Sequence, residues 1–189
     1  MTSFRLALVG GGVRSGKSAF ALALARTLGP RRVFLATAQA WDSEMAARIA
    51  AHRAERASEF ETIEEPFDPL AALGRAAGAD VVLLDCLTLW LSNLLLRGEG
   101  EAEIQAKVAA LADALRAAPF SAIVVTNEVG MGIVPESPLG RTFRDVAGRA
   151  HQALAARADR VYFAMLGTVL RLAPGPVEVE PTPHQGERP

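Results

Sequence analysis

The chain has 189 residues, half of them apolar, and its 20 basic and 21 acidic residues leave a formal charge of −1. This balance of charges excludes a generally basic nucleic-acid binder. No apolar run reaches the roughly 18 to 20 residues of a membrane helix. The single cysteine, Cys86, excludes an internal disulfide. We therefore expect a cytoplasmic protein from a reducing compartment, with no nucleic-acid partner and no membrane span.

Short apolar runs that stop at Gly, Pro or Asp predict strands, and the longer periodic runs between them predict helices. The predicted strands are Arg5–Val9, Arg32–Thr37, Val81–Leu84, Ser121–Thr126 and Arg160–Met165, with a candidate sixth at Val169–Leu172. The predicted helices are Ser18–Leu28, a segment capped by Asp42 or Ser43 that runs to about Arg56, Ala102–Ala117 and Arg141–Asp159. Continuously apolar strands that alternate with helices indicate an α/β fold, with a mostly parallel sheet covered by helices on both faces.

The end of the chain differs in composition from the rest. Residues 173–189 hold five of the 11 prolines and show no apolar periodicity. We expect a single domain over residues 1–172, followed by a disordered Pro-rich tail over residues 173–189.

Residues Gly11–Ser18 match the phosphate-binding pattern G-x-x-x-x-G-K-[ST] in full, between a predicted strand and a predicted helix. Glycines let the backbone turn its N–H groups toward phosphate oxygens, and the helix that follows directs its positive end at them. We expect Lys17 to contact the β- and γ-phosphates and Ser18 to bind Mg²⁺. Only two of the 20 basic residues are lysines, Lys17 and Lys107, so the lysine in this loop is informative.

Two further sites stand at the ends of predicted strands. Asp85 closes the run VVLLD and is the candidate second Mg²⁺ ligand, although an apolar strand can end in Asp for other reasons. Asn127 and Glu128 follow the strand Ser121–Thr126, at the end where open α/β sheets bind ligands. These two residues either face a substrate or stabilise the loop, and the sequence leaves both alternatives open.

The chain lacks the N-K-x-D signature of regulatory GTPases, and its length suits a small-molecule kinase. On the predicted helix, His52 has Arg48 and Arg56 four residues away on either side. Two guanidinium groups disfavour a third positive charge and keep an imidazole neutral, the form that attacks a phosphate. From the residues alone, a solvated histidine on an Arg-rich helix face is the more common explanation. His151 at the edge of a helix stripe and His184 in the tail are weaker candidates.

Seven motifs between about residues 6 and 172 form a further pattern: Gly11–Ser18, Ala36–Ala38, Asp42–Arg56, Thr62–Pro66, Leu84–Thr88, Ser92–Leu95 and Val125–Ala155. On these motifs the sequence resembles the bifunctional adenosylcobinamide kinase/adenosylcobinamide-phosphate guanylyltransferases of cobalamin biosynthesis. Asp85 stands where other members can have Glu, which also coordinates a metal.

The resemblance implies a P-loop NTPase (RecA-like) fold and two reactions. ATP or GTP phosphorylates adenosylcobinamide, and GTP then donates GMP to that phosphate through a guanylyl-histidine at His52, with Mg²⁺ as cofactor and a homotrimer as the assembly. The residues that it implies are His52 and Lys17 for catalysis, Ser18 and Asp85 for the metal, and Gly11, Gly12, Val13, Arg14, Ser15, Gly16, Lys17, Ser18, Ala36, Thr37, Ala38, Arg53, Ala54, Glu55, Arg56, Glu64 and Asp85 for the nucleotide. The alternatives are a simple P-loop small-molecule kinase and a nucleotide-binding regulator without guanylyl transfer.

Overall fold

The centre of the protein is one eight-stranded sheet in the order β3-β2-β4-β5-β1-β6-β7-β8. The structure, a computed structural model, describes residues 4–40, 42–56 and 58–180. Strands β1 to β6 run parallel, and β7 and β8 continue the sheet antiparallel beyond β6. The strands are β1 Leu6–Gly11, β2 Arg32–Ala36, β3 Glu61–Glu64, β4 Val81–Asp85, β5 Ser121–Asn127, β6 Arg160–Met165, β7 Thr168–Ala173 and β8 Glu178–Glu180.

Helices cover both faces of this sheet, because the central strands are apolar on both sides. In β1, Leu6 and Leu8 belong to a core with α4, α5 and α6, whereas Ala7 and Val9 belong to a second core with α1. The helices are α1 Lys17–Arg26, α2 Ser43–Arg56, α3 Pro69–Ala72 with a 3-10 turn at Leu73–Ala76, α4 Leu87–Leu96, α5 Glu101–Ala117 and α6 Pro138–Ala155. None of the helices in the described ranges is long and apolar enough to cross a membrane.

The predicted α/β class with a mostly parallel sheet is confirmed, and four elements were not predicted: β3, α3, α4 and β8. The helix predicted at Arg141–Asp159 is α6, which begins at Pro138 because the Ser137 hydroxyl caps it by accepting from Gly140 N–H. It ends at Ala155, since the Asp159 carboxylate accepts from the Arg5 and Leu6 N–H groups and fixes the chain for β6.

The chain after residue 172 is more ordered than its composition indicates. Strand β7 extends to Ala173, and Glu178–Glu180 pairs with β7 as the outermost strand. Arg171 on β7 holds this addition by pairing with Glu178 and Glu180 across the strands. Residues Glu178–Glu180 thus form a short strand within the segment predicted as a tail, and residues 181–189 lie outside the described residues.

Candidate active site

The carboxyl ends of the central strands bring several predicted site residues to one edge of the sheet. Ala36 at the end of β2 lies opposite Glu64 of β3 on one side and Asp85 of β4 on the other. Gly11 at the end of β1 lies opposite Asn127 of β5. Because β5 lies between β4 and β1, the candidate metal ligand and the phosphate loop flank the same strand.

The loop Gly11–Ser18 connects β1 to α1 as the sequence predicts, and two of its glycines are required by their positions. A Cβ at Gly11 would lie 2.4 Å from the carbonyl oxygen of Ala164 and 2.7 Å from the Ser15 hydroxyl. Gly16 precedes α1 with a φ of 94°, in the left-handed region that side chains avoid. Gly12, Val13 and Arg14 form the turn between them, and the Val13 side chain is 80% exposed.

Lys17 is the first residue of α1 and lies mostly buried inside the loop. Its Nζ donates a hydrogen bond of 3.0 Å to the Gly12 carbonyl. Burial lowers the pKa of the Lys17 ammonium, and the nearby Asp85 carboxylate partly opposes that shift. The Ser15 hydroxyl is also buried and has no hydrogen-bond partner among the described residues. A desolvated cation and an unpaired buried hydroxyl in one loop provide what a phosphate oxygen requires.

Ser18 and Asp85 are the two residues predicted to hold Mg²⁺, and their chemistry fits the ion. A hydroxyl and a carboxylate are hard oxygen donors of the kind that Mg²⁺ prefers, and Mg²⁺ keeps several waters and binds substrate phosphates as well. Both side chains are partly exposed, which leaves room for those waters. The Asp85 carboxylate is near enough to Lys17 to raise the pKa of its ammonium, against the larger effect of burial.

The segment after β2, which contains Ala36, Thr37 and Ala38, is fixed by hydrogen bonds to α4 and β4. The buried Thr37 hydroxyl donates to the Cys86 carbonyl at 2.8 Å and accepts from the Cys86 N–H at 3.0 Å. Asn93 on α4 donates to the carbonyls of Thr37 and Pro66, both at 2.9 Å. One buried amide thus joins the chain after β2 to the chain after β3.

Replacing Asn93 with Leu is expected to lower the free energy of unfolding by about 2–4 kcal/mol, because the buried carbonyl of Thr37 and the half-buried carbonyl of Pro66 lose their donor. Asn93 is 4% exposed, so water does not replace the lost amide. Urea denaturation followed by far-UV circular dichroism measures the change. Ser92→Ala on the same helix is the control and is expected to change stability by less than about 0.5 kcal/mol. Equal midpoints for the two variants would contradict the role of Asn93.

Helix α2 carries the remaining predicted residues. The Asp42 carboxylate caps it by accepting from the Met45 N–H at 2.7 Å. Arg53 forms an ion pair with Glu64, so two residues predicted to contact nucleotide contact each other. This pair attaches α2 to the end of β3. The side chains of Arg48, His52, Ala54, Glu55 and Arg56 lie outside the described residues, and the predictions that concern them stay predictions.

Glu128 and His151 form a polar cluster beside the phosphate loop. The Glu128 N–H donates to the Gly11 carbonyl at 3.0 Å, and a Glu128 carboxylate oxygen accepts from the Gly130 N–H. His151 Nδ1 lies 3.7 Å from Glu128 Oε2, and His151 Nε2 lies 2.7 Å from the Thr126 hydroxyl. Glu128 is one of the residues that the sequence predicts at this end of β5, and His151 is one of its weaker candidates.

The sequence does not reveal the roles of three polar residues, because each acts through a contact that is distant in the sequence. These residues are Asn93, Thr126 and His151. The available signal was polarity in an apolar setting: Asn93 interrupts LTLWLSNLLL, and Thr126 ends the apolar run SAIVVT. Buried polar groups have partners, so such residues mark positions where two segments join.

Comparisons with known proteins identify the family of the chain. Residues 7–172 match the family model described as cobinamide kinase / cobinamide phosphate guanyltransferase, CobU. The chain is 45% identical over 180 residues to the bifunctional adenosylcobalamin biosynthesis protein CobP of Pseudomonas aeruginosa. This alignment covers 92% of this chain and 98% of the CobP chain. It is 41% identical to the bifunctional adenosylcobalamin biosynthesis protein CobU of Salmonella typhimurium over 179 residues, or 87% and 98% of the two chains. The CobU of Escherichia coli is 40% identical over the same shares.

Proposed function

The chain belongs to the cobinamide kinase/cobinamide phosphate guanyltransferase family and is a bifunctional enzyme of cobalamin biosynthesis, and on that premise we propose that one phosphate loop serves both of its reactions. In the first reaction, ATP or GTP phosphorylates the hydroxyl of adenosylcobinamide. In the second, GTP donates GMP to the new phosphate, which gives adenosylcobinamide-GDP and pyrophosphate.

In the kinase reaction, Lys17 and the loop N–H groups hold the triphosphate so that the substrate hydroxyl reaches its γ-phosphorus. The oxygen of that hydroxyl forms the new P–O bond, and the bond to the β-phosphate oxygen breaks and releases the nucleoside diphosphate. Ser18 and Asp85 would hold Mg²⁺, which neutralises negative charge on the phosphates when it is bound. The loop contributes mainly by positioning the phosphates and by electrostatic stabilisation.

In the guanylyl reaction, His52 is the nucleophile. An imidazole nitrogen attacks the α-phosphorus of GTP, pyrophosphate leaves, and a guanylyl-histidine forms. An oxygen of adenosylcobinamide phosphate then attacks the same phosphorus and releases the imidazole. Arg53, Ala54, Glu55, Arg56 and Glu64 would contact the guanine, the ribose or the phosphates, and α2 would close over the nucleotide as a lid.

The observation that carries this proposal is the Arg53–Glu64 ion pair. Arg53 directly follows His52, and Glu64 ends β3 opposite Ala36, which in turn lies opposite Asp85. The pair therefore holds this turn of α2 at the edge of the sheet that carries the phosphate loop. The proposal requires the α-phosphate to extend from the loop toward α2 while the γ-phosphate stays within the loop.

Labelled GTP tests the covalent step directly. GTP that carries its label on the α-phosphate is expected to modify the protein, with a bond that is acid-labile and alkali-stable, as a phosphoramidate is. GTP labelled on the γ-phosphate should leave the protein unlabelled, and adenosylcobinamide phosphate should remove the α-label. A simple kinase or a nucleotide-binding regulator would give no covalent label, and that result would refute the guanylyl-histidine.

We also propose, from the family resemblance, a cytoplasmic homotrimer with active sites between subunits. Met131 and Ile133 in the loop after β5 are 81% and 96% exposed in the single chain, and a neighbouring subunit would cover such apolar side chains.

A further inference from the structure

The proposed kinase reaction needs a proton acceptor that the phosphate loop does not supply. When the substrate oxygen forms its bond to the γ-phosphorus, its O–H bond must break and the proton must go to a nearby base. The loop itself offers the cations Arg14 and Lys17 and the hydroxyls of Ser15 and Ser18.

Five carboxylates lie at or directly after the carboxyl ends of the described strands: Glu64, Glu65, Asp85, Glu128 and Glu180. Glu65 is paired with Arg75, and Glu180, on the outermost strand at the other side of the sheet, is paired with Arg171. Glu64 is paired with Arg53 and ends β3, the outermost strand on that side of the sheet. Asp85 acts electrostatically on Lys17 and is the candidate metal ligand. Glu128 is the carboxylate that the loop and the metal leave available.

Glu128 also lies next to the phosphate loop, at the edge of the sheet formed by the carboxyl ends of the parallel strands. It is the first residue after β5, the strand between the end of β4 and the phosphate loop. Its N–H donates to the carbonyl of Gly11, where that loop begins. Its side chain is 25% exposed, so a substrate that enters from solvent can reach it.

The carboxylate of Glu128 is fixed by one hydrogen bond and lies close to the ring of His151. One oxygen accepts from the Gly130 N–H, and the other lies 3.7 Å from His151 Nδ1. His151 is fixed in turn by the Thr126 hydroxyl, which lies 2.7 Å from its Nε2 and belongs to a residue only 2% exposed. A side chain held in this way loses little rotamer freedom when it meets a substrate.

The state of the His151 ring agrees with a positioning role. Burial lowers the pKa of His151 and Glu128 partly opposes that shift, so burial favours the neutral ring. When the proton of a neutral ring is on Nδ1, the N–H faces Glu128 and Nε2 accepts from Thr126. The ring then directs a polar N–H toward the carboxylate without forming a hydrogen bond or an ion pair with it.

We propose that Glu128 is the catalytic base of the kinase reaction and that His151 and Thr126 are its positioning residues. The lone pair of the substrate oxygen forms the bond to the γ-phosphorus, its proton moves to a Glu128 carboxylate oxygen, and the nucleoside diphosphate leaves with the electrons of the broken P–O bond. The second reaction needs no such base, because its acceptor is a phosphate that is already ionised. This inference rests on the proposed function and assigns a role within its first reaction.

Glu128→Gln separates the two reactions. Glutamine keeps the carbonyl oxygen that accepts from Gly130 N–H and loses the basic oxygens. We expect the kinase kcat to fall by about 100-fold or more, with the KM for ATP changed by less than about threefold. Labelling of the protein by α-labelled GTP, and transfer of GMP to adenosylcobinamide phosphate supplied ready-made, should both match the wild type.

Two further variants complete the experiment. Glu136→Gln, at an exposed carboxylate of the same loop, should leave both reactions unchanged. His151→Asn should lower the kinase kcat by about tenfold while KM and guanylyl transfer stay constant, which a merely structural defect would not do. A kinase kcat that Glu128→Gln leaves intact, or an equal loss in both reactions, would overturn the assignment of Glu128. A wild-type protein that accepts no label from GTP would instead refute the proposed covalent step and leave the kinase comparison valid.

Discussion

Replacing Lys17 with Met is expected to lower kcat/KM of both reactions by about 1,000-fold, because each of them needs the triphosphate held in the loop. Methionine fills the space of the aliphatic stem and removes the charge. The ammonium that this change removes is largely desolvated, because Lys17 is only 9% exposed and its Nζ donates to the Gly12 carbonyl. A charge in such a place interacts more strongly with phosphate than one in water does. Calorimetric titration with MgGTP and steady-state rates for each reaction measure the loss.

The other lysine of the chain provides a matched control. Lys107 on α5 pairs with Glu99 and Glu103 on the protein surface, so Lys107→Met removes the same group outside the site. Its variant should keep both activities, since exposed ion pairs contribute less than about 1 kcal/mol to stability. Lys17→Arg should remain impaired, because a planar guanidinium does not replace a compact ammonium in a closed loop. Wild-type rates in Lys17→Met would refute the assignment of the loop as the phosphate site.

The central strands and the phosphate loop could be predicted because local rules determine them. The run Val81–Leu84 is apolar and is bounded by residues that favour turns, so it predicts a strand. The glycines of the loop are predictable because any phosphate-binding turn of this kind leaves no space for a side chain at those positions. Helix α4 was missed because it is apolar on nearly every side, so it has no amphipathic period to detect. Strand β3 has only four residues, of which Ile63 alone is buried, and it becomes a strand by pairing with β2.

The arrangement of the site depended on strand order, which the sequence does not display. Glu64, Ala36 and Asp85 lie side by side because β2 is inserted between β3 and β4, and Glu128 lies next to the loop because β5 pairs with β1. The Thr126–His151 contact joins residues 25 positions apart on a strand and a helix. Each contact is formed when whole strands and helices pack together. The residue types therefore indicate candidate site residues but do not show which of those residues contact one another.

His52→Ala is expected to abolish the covalent label from α-labelled GTP and to lower guanylyl transfer by about 10⁴-fold or more, since no other group takes over as nucleophile. Alanine suits the interior of α2, so the helix should persist. The kinase reaction should keep its rate, because its acceptor is the substrate hydroxyl and its phosphates lie in the loop. A variant that still carries the label would place the nucleophile elsewhere, and mass spectrometry of the labelled peptide would identify it.

The contrast between His52→Ala and Glu128→Gln makes the division of labour testable in a single mixture. Each variant alone is expected to convert adenosylcobinamide to adenosylcobinamide-GDP poorly, one for lack of a nucleophile and the other for lack of a base. Adenosylcobinamide phosphate released by His52→Ala can diffuse to Glu128→Gln, where the intact His52 completes the reaction. Mixing the two should therefore restore the overall conversion, measured by chromatography of the corrinoid products, while doubling the amount of either variant should not. If the mixture stays inactive although each half-reaction is present separately, the phosphate intermediate is not released, and the two reactions must be completed at one site.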